Sequence, residues 1–138
     1  VIDRIDKKGD NIRVIDYKTG ADTKEIKNIK SLFSENKKDR NDAVFQLFFY
    51  SLLLNEIKDK FSSISVGLMN IRQMKKNMFD FRIKINIKKI NDVIPYLNEF
   101  EQHLKSKISE IFNIEIPFTQ NKNKDSCKYC PYKKLCSG

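Results

Sequence analysis

The sequence predicts an α/β domain, and three observations carry that prediction. Two short apolar runs at the start, Val1 to Asp6 and Ile12 to Tyr17, are rich in β-branched residues and are parted by Lys7-Lys8-Gly9-Asp10-Asn11, which carries turn chemistry. From Ala43 to about Lys60 a helical stretch is apolar on nearly every side, with Val44, Phe45, Leu47, Phe48, Leu52, Leu53, Leu54 and Ile57. Later, Ile90, Val93, Ile94, Leu97, Phe100, Leu104, Ile108 and Ile111 recur at the spacing of a long amphipathic helix. With two strand-like runs between the helices, the order is β-β-α-β-β-α plus a tail. The 138 residues suffice for a single core.

Taken in order, the two opening runs form a β-hairpin. Residues 19–41 mix Lys, Asn, Ser and Asp and read as a long loop, a feature that in a compact domain is usually functional or mobile. Asp42 is placed to cap the first helix, and the apolarity of that helix on all sides means burial. Ile64 to Ile71 reads as a buried strand. Phe79, Phe81, Ile83 and Ile85 alternate with Asp80, Arg82 and Lys84, as in a strand with one wet face, and Gln73 to Asn77 is the basic turn joining the two. The second helix begins near Asn91, which leaves Pro95 in a first turn whose amides have no intrahelical acceptor. Ile116-Pro117-Phe118 leads into a Cys-bearing tail, dividing the chain into a core over 1–118 and a tail over 119–138.

A net charge of +9 fits a polyanionic partner. The charge is uneven. Arg72 to Lys89 holds seven Lys or Arg and one acid, and the tail from Gln120 holds five Lys and one acid. The longest apolar run, Phe45 to Leu54, is interrupted by Gln46 and is too short to span a bilayer. No signal peptide is evident, so a cytoplasmic location without a membrane partner is expected. The chain opens on Val1 rather than Met, which reads as a fragment of a longer protein.

The chemistry is concentrated in the hairpin. Asp3 and Asp16 can lie side by side on paired strands, and Lys18 shares the face of Asp16 because strand side chains alternate. Two carboxylates so placed hold Mg²⁺ or Mn²⁺, hard cations that take oxygen ligands and keep waters for a phosphate. The Tyr17 carbonyl can complete such a set. Lys18 would hold or polarise the attacking water, or neutralise charge on an attacked phosphodiester. Asp6 and Arg4 lie on opposite faces or form an ion pair. The plainer alternative is a surface hairpin whose charges merely alternate. The three Cys all fall within the last twelve positions, an odd count for disulfides, and Cys127, Cys130 and Cys136 have a chelating spacing open to zinc or an iron–sulfur cluster. His103, the single His, reads as a solvated helix residue.

Asp3-Arg4-Ile5-Asp6 followed by Val14-Ile15-Asp16-Tyr17-Lys18-Thr19-Gly20 resembles the PD-(D/E)XK nuclease superfamily. Within it, the closest likeness is to RecB/AddB-like exonucleases and the CRISPR-associated nucleases related to them. The resemblance implies a restriction-endonuclease-like core, a central mixed β-sheet flanked by α-helices. It makes Asp3 and Asp16 metal ligands, beside which the Tyr17 carbonyl can complete the set, and Lys18 the catalytic lysine. Gln46-Leu47-Phe48-Phe49-Tyr50 resembles the family's Gln-x-x-x-Tyr signature, and an i, i+4 pair stands on one helical face, so Gln46 and Tyr50 belong to the same site. The ending Cys127-x-x-Cys130-Pro131-Tyr132-x-x-x-Cys136 resembles the [4Fe–4S] staple of these nucleases, whose first Cys lies far upstream and is absent from this fragment; Zn²⁺ is the alternative occupant.

The resemblance implies a Mg²⁺-dependent deoxyribonuclease, an exonuclease of DNA repair and recombination with a helicase domain or subunit as partner. An upstream helix that supplies another acid or a His would precede Val1, so the fragment is expected to hold an incomplete site with little activity. The Lys-rich stretch 24–40 and the Gln73 to Asn77 turn would contact DNA phosphates without reading bases. Two alternatives remain open. One is an inactive nuclease-like module that binds DNA or scaffolds a helicase. The other is a zinc-binding DNA module built on the tail.

Overall fold

A two-residue turn sets the register at the start of the chain. In the computed structural model, β1 (Arg4–Lys8) pairs antiparallel with β2 (Asn11–Lys18), from Lys8↔Asn11 to Arg4↔Ile15. Gly9 takes φ 59°, which a hairpin turn of this length needs at its first position and which costs glycine little. The structure describes residues 2–20, 23–57, 61–73, 80–117, 119, 127–128 and 130–136.

The second link is a β-α-β unit. β2 is followed, through a short strand β3 (Glu25–Ile26) and α1 (Asp42–Ile57), by β4 (Ser63–Asn70), which lies parallel to β2 from Asn11↔Ser63 to Lys18↔Asn70. The sheet order is β1-β2-β4. Ile12 and Val14 of β2 and Ile64, Val66 and Leu68 of β4 are buried in one core with Val44, Leu47 and Phe48 of α1. A second small sheet joins β3 in parallel to β5 (Lys84–Ile85), which pairs antiparallel with β6 (Lys88–Lys89). A Gly67↔Arg82 bridge ties the two sheets together. The architecture is the mixed α/β class that the sequence predicts, with two three-stranded mixed sheets where one central sheet was expected.

Several element boundaries differ from the sequence reading, each for a local reason. The expected loop 19–41 contains β3 and a 3₁₀ turn, Ile29–Phe33, whose entry is capped by Asn28 Oδ1 accepting from the Ser31 amide at 2.9 Å. Ile26, Ile29 and Leu32 are buried, an i, i+3 spacing that suits 3₁₀ geometry. The cap of α1 is Asn41 rather than Asp42. Asn41 Oδ1 accepts from the Val44 amide at 3.1 Å while its Nδ2 donates to the Thr23 carbonyl at 2.9 Å, and Asp42 pairs with Arg40 at 2.7 Å. The alternating run near Phe81 forms a strand only at Lys84–Ile85, with Arg82 as an isolated bridge. A second helix, α2 (Ile94–Phe112), starts later than Asn91 because Asp92 Oδ1 accepts from the Ile94 and Ile64 amides, at 3.1 and 2.9 Å. Leu97 and Phe100 of α2 are buried, the latter against the rings of Phe33, Phe45 and Phe48, whereas Ile108 and Ile111 are exposed. The expected end of the first helix at Lys60, Phe79, and residues 74–77 of the basic turn lie outside the described residues. No helix among the described residues is long and apolar enough to cross a membrane.

One contact holds the segment around Phe81 against β4, and a second ties it to β6. A Cβ on Gly67 would stand 2.5 Å from the Phe81 carbonyl oxygen, a backbone atom that also accepts from the Leu68 amide at 2.9 Å. Asp80 accepts from the Arg82 amide at 3.0 Å and its guanidinium at 2.8 and 2.9 Å, and meets the Lys89 ammonium at 2.9 Å. These partners, Arg82 first, hold the Asp80 carboxyl far below the ordinary carboxylate value.

Gly67→Ala is therefore expected to cost about 1–3 kcal/mol in urea unfolding, because the backbone of Phe81 must move away. Asp80→Asn is expected to weaken the fold by a constant amount at neutral pH. Since the folded carboxyl titrates below the unfolded one, that difference is complete above about pH 5 and shrinks as pH falls below about 4. Melts across this range read it; a gap that is as large at pH 3 as at pH 7 contradicts the assignment.

Candidate active site

The period of the strand decides which side chains meet. On β2, Ile12, Val14, Asp16 and Lys18 share one face, and the first two are core residues beneath α1. The stripe thus ends in a carboxylate and an ammonium at the carboxyl end of two parallel strands, the edge where open α/β sheets place their ligands. Asp16 is 4% exposed and is the only buried carboxylate among the described residues. Its Oδ2 lies 2.8 Å from Lys18 Nζ. No described residue donates a hydrogen bond to this buried oxygen. An ionised oxygen so placed suits a cation better than an apolar wall does.

Asp3 stands one residue before β1. Continuing the Arg4↔Ile15 register by one step sets it opposite Asp16 on the same face. Its Oδ2 accepts from the Tyr17 amide at 2.9 Å. In an extended strand a residue's N–H and C=O point the same way, so the Tyr17 carbonyl turns toward this edge too. Asp3, Asp16 and the Tyr17 carbonyl therefore offer oxygens of the type that Mg²⁺ and Mn²⁺ take, and the undonated Asp16 oxygen supports the fit.

α1 turns Gln46 and Tyr50 toward Lys18. Gln46 Oε1 is 3.5 Å from Lys18 Nζ, and Gln46 Nε2 donates to the Tyr50 hydroxyl at 2.6 Å. This orientation of the amide is the one that turns an acceptor to the ammonium and a donor to the phenol. That donation pulls the Tyr50 phenol below its ordinary value. One helical turn separates the two residues, so a single face of α1 supplies both.

Asp6 belongs to the other face of the hairpin. It binds Arg4 Nε at 2.8 Å and Arg13 Nε at 2.9 Å, and Arg4 reaches the Tyr17 hydroxyl at 3.3 Å. Cys127 and Cys130 are free thiols in a turn closed by the Cys130 amide on the Cys127 carbonyl at 3.3 Å. Cys136 ends the short helix α3 (Lys133–Cys136), and its side chain lies outside the described residues. Among the described residues no three His, Cys, Asp or Glu side chains form a metal-holding group, so the expected cluster or zinc has no ligand set on view. His103 is half-buried, against the Phe33 ring and 3.9 Å from Glu99.

Asn70 was not foreseen. It is 4% exposed, pairs with Lys18 in the parallel register, donates from Nδ2 to the Gly20 carbonyl and accepts at Oδ1 from the Arg72 amide at 3.0 Å. Its one signal in the sequence is a polar residue directly after the apolar Leu68-Met69, where a strand end is the ordinary reading.

Paired carboxylates, a lysine two residues on, and a crossover helix that turns a polar edge toward that lysine are an arrangement suited to metal-dependent cleavage of phosphodiesters on an α/β fold. The chain belongs to the PD-(D/E)XK nuclease superfamily, whose family model matches residues 1–137. Nucleases of this superfamily usually use Mg²⁺ or Mn²⁺. Comparison with curated proteins and with solved structures finds no match.

If the Tyr50 hydroxyl fixes the amide of Gln46, Tyr50→Phe should lower kcat roughly two- to tenfold, the worth of one hydrogen bond, with the melting temperature nearly unchanged. Steady-state cleavage beside a thermal melt tests this. An unaltered kcat removes Tyr50 from the site.

Proposed function

We propose that this chain is the nuclease part of a Mg²⁺- or Mn²⁺-dependent DNA exonuclease of the RecB/AddB-like kind, acting in DNA repair and recombination beside a helicase domain or subunit. The observation that carries the reading is the buried Asp16 carboxylate facing Lys18, with Gln46 and Tyr50 along one wall. The order of the hairpin, Gln-x-x-x-Tyr and Cys motifs supports the branch.

In this reading Asp3, Asp16 and the Tyr17 carbonyl hold the divalent ion. When bound, the ion would lower the pKa of water and offset charge on the phosphate. Lys18 provides a second positive charge 2.8 Å from Asp16, placed to orient the attacking water and to offset the negative charge that grows on the phosphate oxygens. Gln46 Oε1, 3.5 Å from the ammonium, offers Lys18 a second acceptor beside Asp16. Water adds to phosphorus, one P–O ester bond breaks, and the products are a phosphate monoester and an alcohol. The exposed Lys27 and Lys30 of the Lys-rich stretch 24–40, with the Gln73 to Asn77 turn, would meet the DNA backbone, a contact that reads charge rather than base. The core over 1–118 does the cutting. The tail over 119–138 serves as a staple, its Cys127–Cys130 turn giving part of the ligand set for a [4Fe–4S] cluster or Zn²⁺.

Asp16→Asn and Lys18→Ala in the full-length protein should each cut Mn²⁺-dependent degradation of a labelled DNA strand by about 10²-fold or more. Degradation by Asp16→Asn at the wild-type rate sinks the assignment of this site.

A further inference from the structure

The residue that stands beside Lys18 on the neighbouring strand has no part in the motif chemistry, yet it is buried, polar and fully engaged. Asn70 closes β4 opposite Lys18, the last residue of β2. Its side-chain amide donates to the carbonyl of Gly20, fifty positions away in sequence, and its carbonyl oxygen accepts from the Arg72 amide at 3.0 Å. Both bonds are to backbone. One ties down the turn that leaves β2 after Lys18, and the other turns the chain from β4 into the 3₁₀ segment Ile71–Gln73. A buried amide with both ends satisfied is costly to disturb and leaves its partners little freedom.

Lys18 needs such a restraint. It is the last residue of its strand, its ammonium is 2.8 Å from Asp16 and 3.5 Å from Gln46, and beyond it Thr19 and Gly20 are exposed bends. A strand end with a long flexible side chain frays unless its backbone is held. The Asn70–Gly20 bond supplies the hold directly after the lysine.

We propose that Asn70 is a positioning residue for Lys18: by clamping Gly20 to the end of β4 it sets where the lysine ammonium stands against Asp16 and Gln46. The inference rests on the nuclease reading for its effect on rate, and on geometry alone for its effect on the lysine.

The test uses the full-length protein with Asn70→Ser and Asn70→Asp. The aspartate keeps the size and the acceptor for Arg72 but removes the donor to Gly20; the serine keeps a short polar group. Without metal or DNA, the lysine ε-methylene NMR signals are compared, that of Lys18 being the one lost in Lys18→Arg. Wild type should show it shifted away from the solvent-exposed lysines, and both variants should move it toward them. With Mn²⁺ and a labelled DNA strand, kcat should fall roughly 10- to 100-fold, as expected for displacement of a catalytic group by about 1 Å, while KM changes little. Thermal melts select the variants that remain folded. Should one fail to fold, the other decides, and if neither folds the role is structural and the proposal is overturned. A folded variant with an unmoved Lys18 signal and wild-type kcat also overturns it. Lack of cleavage by the wild-type protein would defeat the nuclease reading alone, since the lysine signal reports on Asn70 without any reaction.

Discussion

The ion pair between Asp16 and Lys18 is the constraint on which the rest of the site depends. A carboxylate that is 4% exposed is costly to bury, and the Lys18 ammonium at 2.8 Å offsets only part of that cost. Such an arrangement is not how a fold maximises stability; an apolar residue in its place would continue the stripe begun by Ile12 and Val14. The strand gives up that apolar burial at its carboxyl end and keeps an oxygen to which no described residue donates a hydrogen bond. Strain of this kind is characteristic of sites where charge is used. The surrounding elements serve to hold it: β4 lies parallel on one side, Asp3 fastens Tyr17 on the other, and α1 covers the face.

α1 explains how a buried helix can also line a cleft. Its apolar residues are needed on nearly every side because it packs on β2 and β4 and also meets α2 and the 3₁₀ turn Ile29–Phe33. Phe45 and Phe48 meet Phe100 of α2 at ring separations of 5.2 and 5.5 Å, fixing the helix from the side away from the sheet. Of its polar residues, Ser51 satisfies itself by donating to the Leu47 carbonyl at 2.8 Å. Gln46 and Tyr50 satisfy each other and still turn an oxygen to Lys18. The helix can therefore carry a polar edge without leaving a buried group unpaired.

Much of this was legible in the sequence because it depends on short-range periodicity. Alternation in the hairpin put Asp16 and Lys18 on one face, and the four-residue spacing of Gln46 and Tyr50 put both on one side of α1. What was hidden depends on contacts between distant residues. Residues 19–41 read as a loop because three buried apolar residues at 3₁₀ spacing were diluted by Lys, Asn and Ser. Asp42 and Asn41 are both good caps by residue type, and only the tie from Asn41 to Thr23 selects the latter. Asn70 is invisible without its partner fifty residues earlier. Three cysteines close in sequence gave a ligand pattern, but spacing alone did not bring a third ligand to Cys127 and Cys130 among the described residues.

The hairpin also shows how a turn can choose which acid faces Asp16. β1 and the residue before it bring two acids, Asp6 and Asp3, whose odd separation puts them on opposite faces. In the register set by Gly9 and Asp10, Asp6 faces Arg13 and is held between it and Arg4, while Asp3 falls opposite Asp16. A slip of one residue would exchange the faces of the whole strand, bringing Asp6 and Arg4 to the site and sending Asp3 away. The ion triad on the outer face and the Asp3 bond to the Tyr17 amide on the inner edge both favour the observed register, as does the positive φ at Gly9. The choice of which acid meets Asp16 is thus made three times over: by a turn, by two arginines and by a backbone amide.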